Sequence, residues 1–232
     1  MSDGSYSQFC PVSMAAEIIC SRWTLLVLRE LVLGSTRFNE LRRGLPSMSP
    51  ALLSKRLKDL EAAGIVMHIA AERESGVLEY RLTEAGDELR PIIEAIGVWG
   101  HRWVTTEATL KNLDANLLMW DIRRNINTDP IPPRRNTIQF MFNDRPPSER
   151  NYWLIVEPGN DVDLCLVDPG FDVDLYVSTD LRTMTEVWLG YTAIGPASED
   201  GRLALTGDSK LAADLRRWLK LSAFANVEKK VA

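Results

Sequence analysis

Residues 37–64, RFNELRRGLPSMSPALLSKRLKDLEAAG, constrain the fold more than any other stretch, because they read as two short amphipathic helices joined by a tight turn. Ser49 is a good N-cap, Pro50 suits a first helical position and Gly64 fits a C-terminal stop, so the second helix is predicted from Pro50 to Ala63. Side chains advance by about 100° per residue, which puts Leu53, Leu57 and Leu60 on one face. Ala51, Ser54, Lys55 and Lys58 fall on the opposite face. Thr36 stands where it could cap the preceding helix, whose Phe38, Leu41 and Leu45 follow helical spacing. Leu45-Pro46-Ser47-Met48 then supplies a turn of helix-turn-helix length. One face of the second helix packs and the other is free to bind.

Two runs of strand character follow Gly64, IVMHIA and VLEYRLT, flanking the polar tip Glu72-Arg73-Glu74-Ser75-Gly76. A hairpin directly after such a helix predicts a winged helix. From Ser21 to Leu60 the chain carries eight basic and three acidic residues, an excess of five, whereas the whole chain is at net -5. That local excess is the electrostatic footprint of a phosphate-tracking surface, and the acidic remainder argues against a general nucleic-acid coat. Lys55, Arg56 and Lys58 could also merely solvate an ordinary amphipathic helix. The neighbouring helix, the turn and the wing shift the balance toward duplex DNA. In that reading Ser49, Ala51, Ser54, Lys55 and Lys58 face the major groove, Arg43 and Arg56 contact phosphates, and Arg73 at the wing tip reaches the minor groove.

The combination of CPV, RWTLLVLREL, RFNELRR, SPALLSKRLKDLEAAG and YRLTEAG resembles the HxlR-type winged-helix transcriptional regulators over roughly the first hundred residues. The resemblance implies a homodimer that binds a palindromic, double-stranded operator. Cys20-Ser21 stands where that family usually carries glycine. Independently, Thr83 is placed to cap a long helix in which Leu89, Ile92, Ile93, Ile96, Trp99 and Trp103 form an apolar stripe. The stripe could pack within the chain, but a subunit interface is favoured, since two-fold sites call for two-fold proteins.

The chain has 232 residues, too many for a winged helix alone, and two domains are expected, 1–110 and 111–232. A helix over about Leu113–Ile126 precedes Asp129-Pro130-Ile131-Pro132-Pro133, which breaks regular structure. Ile138, Phe140 and Phe142, then Val162, Leu164 and Leu166, then Val173, Leu175 and Val177 alternate with less apolar residues. With YWLIV at 152–156, these predict an antiparallel sheet with one buried face, turned at Pro158-Gly159 and Asp168-Pro169-Gly170. Helices are expected at Leu181–Leu189 and Ser209–Leu221, so the overall class is α+β, a winged helix-turn-helix domain followed by an α+β domain.

The element order, with DVDLYVSTDLRTMTEVWLG and GRLALTGDSKLAADLRRWLKLSAFA, is similar to the sterol-carrier-protein type of lipid-binding domain over about Ala115–Ala225. That resemblance implies an apolar cavity between sheet and helices and a lipid-like or other apolar ligand. Candidate lining residues are Phe140, Trp153, Leu175, Met184, Trp188 and Leu205, for each of which an ordinary core position is the competing expectation.

Cys10, Cys20 and Cys165 are odd in number and lack metal spacing, so structural disulfides are not expected. Cys10 directly precedes Pro11 at a predicted helix start, where backbone N–H groups and the helix dipole favour a thiolate. In HxlR-type proteins a cysteine at the matching position senses oxidants or electrophiles, which makes Cys10 a redox-sensing candidate, with an N-cap or small core role as the alternative. His68 and His101 have no ligand or triad partners at useful spacing, and the Asp161–Asp174 carboxylates mostly alternate outward. No Gly-rich phosphate loop is present. No catalytic residue, metal or cofactor is therefore expected, and a lipid carrier that uses the winged domain only to dimerise is the remaining alternative. The absence of a long apolar run and of a basic-then-apolar N-terminus predicts a cytoplasmic protein with no membrane insertion.

Overall fold

Helix α1 (Pro11–Ile19) opens the chain on Pro11, and among its residues none is buried. A computed structural model describes residues 5–71 and 76–231. The turn that follows α1 places Trp23 at φ +79°, a left-handed conformation costly for a bulky residue, and α2 (Thr24–Val32) starts immediately after it. Next come α3 (Phe38–Gly44) and α4 (Pro50–Ala62). Their inward faces meet in one core, in which Val27, Leu28, Leu41, Leu53 and Leu57 are completely buried. Gly64 ends α4 at φ +71°, the left-handed conformation that glycine adopts without a Cβ penalty.

The hairpin β1 (Val66–Ala70) and β2 (Leu78–Leu82) pairs antiparallel, with His68 opposite Tyr80. Tyr80 N–H donates to the Thr36 carbonyl at 2.8 Å and so ties the wing to the α2–α3 connection. Two expectations need correction here. Thr36 does not cap α3 with its hydroxyl; the Glu40 carboxylate reaches back instead to accept from the N–H groups of Thr36 (2.9 Å) and Arg37 (3.1 Å), since a third-position carboxylate can serve several orphan donors. Nor is there one long helix after Thr83. Thr83 caps the short α5 (Glu84–Asp87), and α6 (Arg90–Trp103) starts anew. Pro91 supplies the reason, because its ring nitrogen cannot donate to the Asp87 carbonyl and its ring crowds that oxygen.

The chain divides into two compact units, Met1–Gly97 and Val98–Ala232, so the division falls inside α6 and ahead of the expected 110/111 boundary. The second unit continues with α7 (Thr106–Thr109) and α8 (Ala115–Asn125), the latter capped by Asp114, which accepts from Leu117 N–H at 3.0 Å. Strands β3 (Asn136–Phe142), β4 (Asn151–Val156), β5 (Asp163–Cys165) and β6 (Leu175–Thr179) follow. After them come α9 (Leu181–Trp188), α10 (Ile194–Glu199), β7 (Leu203–Gly207), α11 (Ser209–Ala213) and α12 (Leu215–Trp218).

The sheet order is β5-β4-β3-β6-β7. It is not wholly antiparallel: β3 and β6 run parallel, Phe140 lying beside Val177. Alternation marks which face a side chain takes but not which way its strand runs, and β4 and β5 intervene as the crossover. Two further differences concern the helices. The predicted Ser209–Leu221 helix is split at Asp214, where Trp218 folds back so that its indole N–H donates to the Leu211 carbonyl at 2.8 Å. The short α10 carries Gly195 and Pro196 and has too little helical periodicity to be read in advance.

One face of this sheet carries Ile138, Phe140, Phe142, Tyr152, Leu154, Leu175, Val177 and Leu203, all in a single core with the apolar faces of α8, α9, α11 and α12. The C-terminal segment is strapped back onto the same unit. Lys229 Nζ donates to the carbonyls of Val104 (2.7 Å) and His101 (3.1 Å) and lies over the Tyr191 ring. Lys230 N–H donates to the Arg102 carbonyl at 2.9 Å. Among the described residues no single helix is long and apolar enough to cross a membrane; α1 and α2 meet that length only together, with an 83° bend between them.

Candidate nucleic-acid interface

Helix α4 is held on three sides. Ser49 Oγ accepts from Leu52 N–H at 3.3 Å, Pro50 starts the first turn, and Leu53, Leu57 and Leu60 are buried. With the inner face locked, rotation of the helix would expose three leucines, so the outer face is presented in a fixed orientation. Ala51, Lys55 and Lys58 on that face are exposed and Ser54 is half-buried.

The turn into α4 is set by a buried carboxylate. Glu30 is completely buried, and Arg29 grips it through Nη2 at 2.7 Å and Nε at 3.0 Å. The same Arg29 Nη2 donates to the Gly44 carbonyl at 2.9 Å, fixing the C-terminal end of α3. A Cβ on Gly44 would overlap the Glu30 carboxylate, so only glycine leaves room for this latch. Sequence reasoning passes over all three residues, because an arginine and a glutamate side by side in α2 give no sign that the arginine also holds a backbone carbonyl fifteen residues away.

The other candidates separate. Arg43 is exposed and lines, with Arg42, Asn39, Pro46 and Met48, a surface depression of about 370 Å³ beside the turn. Arg42 and Asn39 do not stand out in the sequence; only the helix geometry brings them beside Arg43. Arg56 does not share the exposed face. Its Nε donates to the Arg22 carbonyl at 3.1 Å and its Nη1 to Asp59 at 2.9 Å, because at helical spacing it points toward the α1–α2 turn. Arg73 lies outside the described residues. On the wing, His68 stacks on Tyr80 with centroids 4.2 Å apart, and burial together with the nearby Glu61 charge pushes the Tyr80 phenol up.

Residues 18–108 match the HxlR-like helix-turn-helix family. The HTH-type transcriptional regulator YvaP of Bacillus subtilis (strain 168) is 37% identical over 42% of this chain and 92% of its own length. YybR of the same organism is 36% identical over 39% of this chain and 73% of its own. The chain belongs to the HxlR-like helix-turn-helix family. Among solved structures, the redox regulator HypR in its oxidized form is 36% identical, with 39% of this chain and 94% of that chain covered and a TM-score of 0.37. The relatives of this HxlR-like protein over these residues are named as transcriptional regulators.

Beyond the matched residues, five of the six candidate lining residues share the helix-covered face of the sheet. Phe140, Leu175 and Met184 are completely buried, Trp188 is buried, and Leu205 packs against the same core from β7. Trp153 is a correction. It alternates with Tyr152 and Leu154, which face that core, and it pairs across the sheet with Gln139 and Cys165, so it projects from the opposite face and cannot line the same cavity. Cys10 is exposed at the N-cap of α1, where the backbone N–H groups of Ser13 and Val12 hold its thiol below the usual range. Cys20 is exposed and Cys165 half-buried. Among the described residues no group of three or more His, Cys, Asp or Glu side chains is placed to hold a metal ion.

Proposed function

We propose that this HxlR-like protein is a homodimeric transcriptional regulator that binds a two-fold symmetric, double-stranded operator through α4. The observation that carries the reading is the exposed face of Ala51, Lys55 and Lys58 on a helix whose other face is fixed by three buried leucines. Ser49, Ala51, Ser54, Lys55 and Lys58 approach base edges in the major groove, and Arg43, joined by Arg42, takes phosphates. Arg56, already bonded within the chain, positions α4 rather than meeting DNA. Arg73 at the wing tip is assigned to the minor groove on sequence alone.

Dimerisation is assigned to the stripe on α6, where Ile92, Ile96, Trp99 and Trp103 are exposed large apolar residues. The second unit is read as a sterol-carrier-like module that takes an apolar small molecule against Phe140, Leu175, Met184, Trp188 and Leu205. A ligand that favours one spacing of the two α4 helices would change operator affinity by the difference in its binding energy, commonly about 1–3 kcal/mol.

The test is titration of operator duplex, selected from a random library, at several salt concentrations. Lys55→Ala with Lys58→Ala should abolish specific binding, and any residual non-specific binding should have a log–log salt slope shallower by about 0.9 for each phosphate that the variant leaves unneutralised. Unchanged binding would reject α4 as the reading helix and leave the lipid-carrier reading. A second reading is supported by one observation, the exposed Cys10 whose thiol is held low by two backbone N–H groups. In that case a thiol oxidant releases DNA from the wild type and not from Cys10→Ser.

A further inference from the structure

The connection from β5 to β6, residues 166–174, leaves the sheet at its edge strand and contains neither helix nor strand. It holds large apolar side chains in water: Val167 is 77% exposed, Leu166 58% and Phe171 40%. A single exposed residue of this kind is ordinary, but three within six positions make a surface that an apolar partner can cover. The segment is also fixed by its own contacts. Asp168 accepts from Gly170 N–H at 2.8 Å, and the Arg135 guanidinium sits 4.2 Å from the Phe171 ring centroid while it pairs with Glu157. An aromatic side chain already held in place loses little freedom when a partner covers it.

Charge decides what can cover it. From Glu157 to Asp174 the chain has six carboxylates and no lysine or arginine. Arg135 and Arg134, from outside that stretch, neutralise Glu157 and Asp174, the latter at 2.7 Å. Asp161, Asp163, Asp168 and Asp172 are exposed, and among the described residues none of these four is in an ion pair. Such a surface repels nucleic acid and anionic membranes. Nor do the carboxylates converge on a cation, since among the described residues no group of three or more is placed to hold a metal ion. A second copy fits poorly: among the described residues the basic face of α4 bears no exposed large apolar side chain, and the α6 stripe is already assigned to the two-fold contact.

We propose that this segment docks a basic polypeptide segment of another protein. Leu166, Val167 and Phe171 take its apolar side chains, and the unpaired carboxylates of Asp161, Asp163, Asp168 and Asp172 take its lysines or arginines. The apolar residues supply the area removed from water, and the charges steer the encounter and select against acidic segments. In a protein bound to DNA, the contact would bring that second protein to the operator. That consequence rests on the operator reading; the docking itself does not.

The experiment uses the full chain without DNA, panned against random peptides displayed on phage, and the enriched peptide is then titrated by calorimetry. Enriched sequences should combine basic with large apolar residues, and one peptide should bind per chain, more weakly as salt rises. Two variants divide the surface: Leu166→Ser with Val167→Ser removes apolar side chains, and Asp161→Asn, Asp163→Asn and Asp172→Asn together remove charge. Each should weaken the peptide by at least about ten-fold. Amide shifts over residues 166–172 of the wild type should locate the peptide, a readout that stands even if a variant fails to fold. No enrichment, enriched peptides without net positive charge, shifts confined to other residues, or affinity unchanged in either variant would overturn the proposal. Self-association of the full chain that Leu166→Ser with Val167→Ser abolishes would also overturn it, by giving the surface to a second copy. Peptide binding that leaves operator affinity intact is the expected result, and its persistence in a variant that has lost operator binding would separate the docking from the operator reading.

Discussion

Replacing Gly44 by alanine separates two effects of opposite sign. Gly44 closes α3 without a positive φ, so by helix propensity alone alanine there should stabilise by about 0.5–1 kcal/mol. The added Cβ would, however, overlap the Glu30 carboxylate, which must move and loosen its grip on Arg29. Disrupting a buried ion pair costs about 3–5 kcal/mol, and because the Arg29 side chain is 31% exposed the lower end applies. The net expectation is a destabilisation of about 2 kcal/mol. For a unit of this size that lowers the melting temperature by roughly 10 °C. Calorimetry on the full chain reads the shift, and hydrogen exchange over residues 24–62 assigns it to the first unit rather than the second. In a Glu30→Ala background the same Gly44→Ala change should cost little, giving a coupling energy near the whole effect. A melting temperature that rises, or a cost that persists without Glu30, would refute the latch.

Three further outcomes are expected. Alkylation of Cys10 should set in at lower pH than that of an ordinary thiol, because two backbone N–H groups favour its thiolate; mass spectrometry after timed labelling reads this, and Cys165 labelling ahead of Cys10 would contradict it. Burial first and the Lys229 charge second hold the His101 imidazole below its ordinary pKa, so the unfolded chain binds that proton more readily. The second unit should therefore keep its full stability above the ordinary histidine pKa and lose it as the pH falls through that value, a dependence that Lys229→Met weakens without removing. Lys229→Met should also lower the melting temperature of the second unit at neutral pH, since the hydrogen bonds to Val104, His101 and Tyr191 all depend on its ammonium, and an unchanged melting curve would mean that the C-terminal strap contributes nothing.

The first unit is largely legible in the sequence because its signals are local. Ser49, Pro50 and Gly64 bound α4 within one residue of its observed end, and the leucines at helical spacing are the ones that are buried. Where local signals compete, the sequence is ambiguous. Thr36 and Glu40 both offer oxygens to the start of α3, and the longer carboxylate serves two N–H groups at once. The apolar stripe after Thr83 continues in register across Glu88-Leu89, so its periodicity conceals the break that Pro91 imposes on the backbone. The latch of Arg29, Glu30 and Gly44 is non-local, and no spacing rule joins its members.

The second unit exposes a different limit, visible at Trp153. After Asn151, β4 reads YWLIV, a run of large apolar and aromatic residues, and a run without alternation does not say which of its side chains faces the helices. The register answers: Tyr152 lies opposite Phe140 and Leu154 opposite Ile138, all in the helix-covered core, which sends Trp153 to the other side with Gln139 and Cys165. For β3 and β6 the alternation gives the faces of Phe140 and Leu175 correctly, yet it is silent on direction, and the two strands run parallel. An apolar ligand held between sheet and helices should therefore alter neither the fluorescence nor the chemical accessibility of Trp153 by contact, while it should alter both at Trp188. A ligand that protects Trp153 and leaves Trp188 untouched would move the binding site to the opposite face of the sheet and end the sterol-carrier-like reading of the cavity.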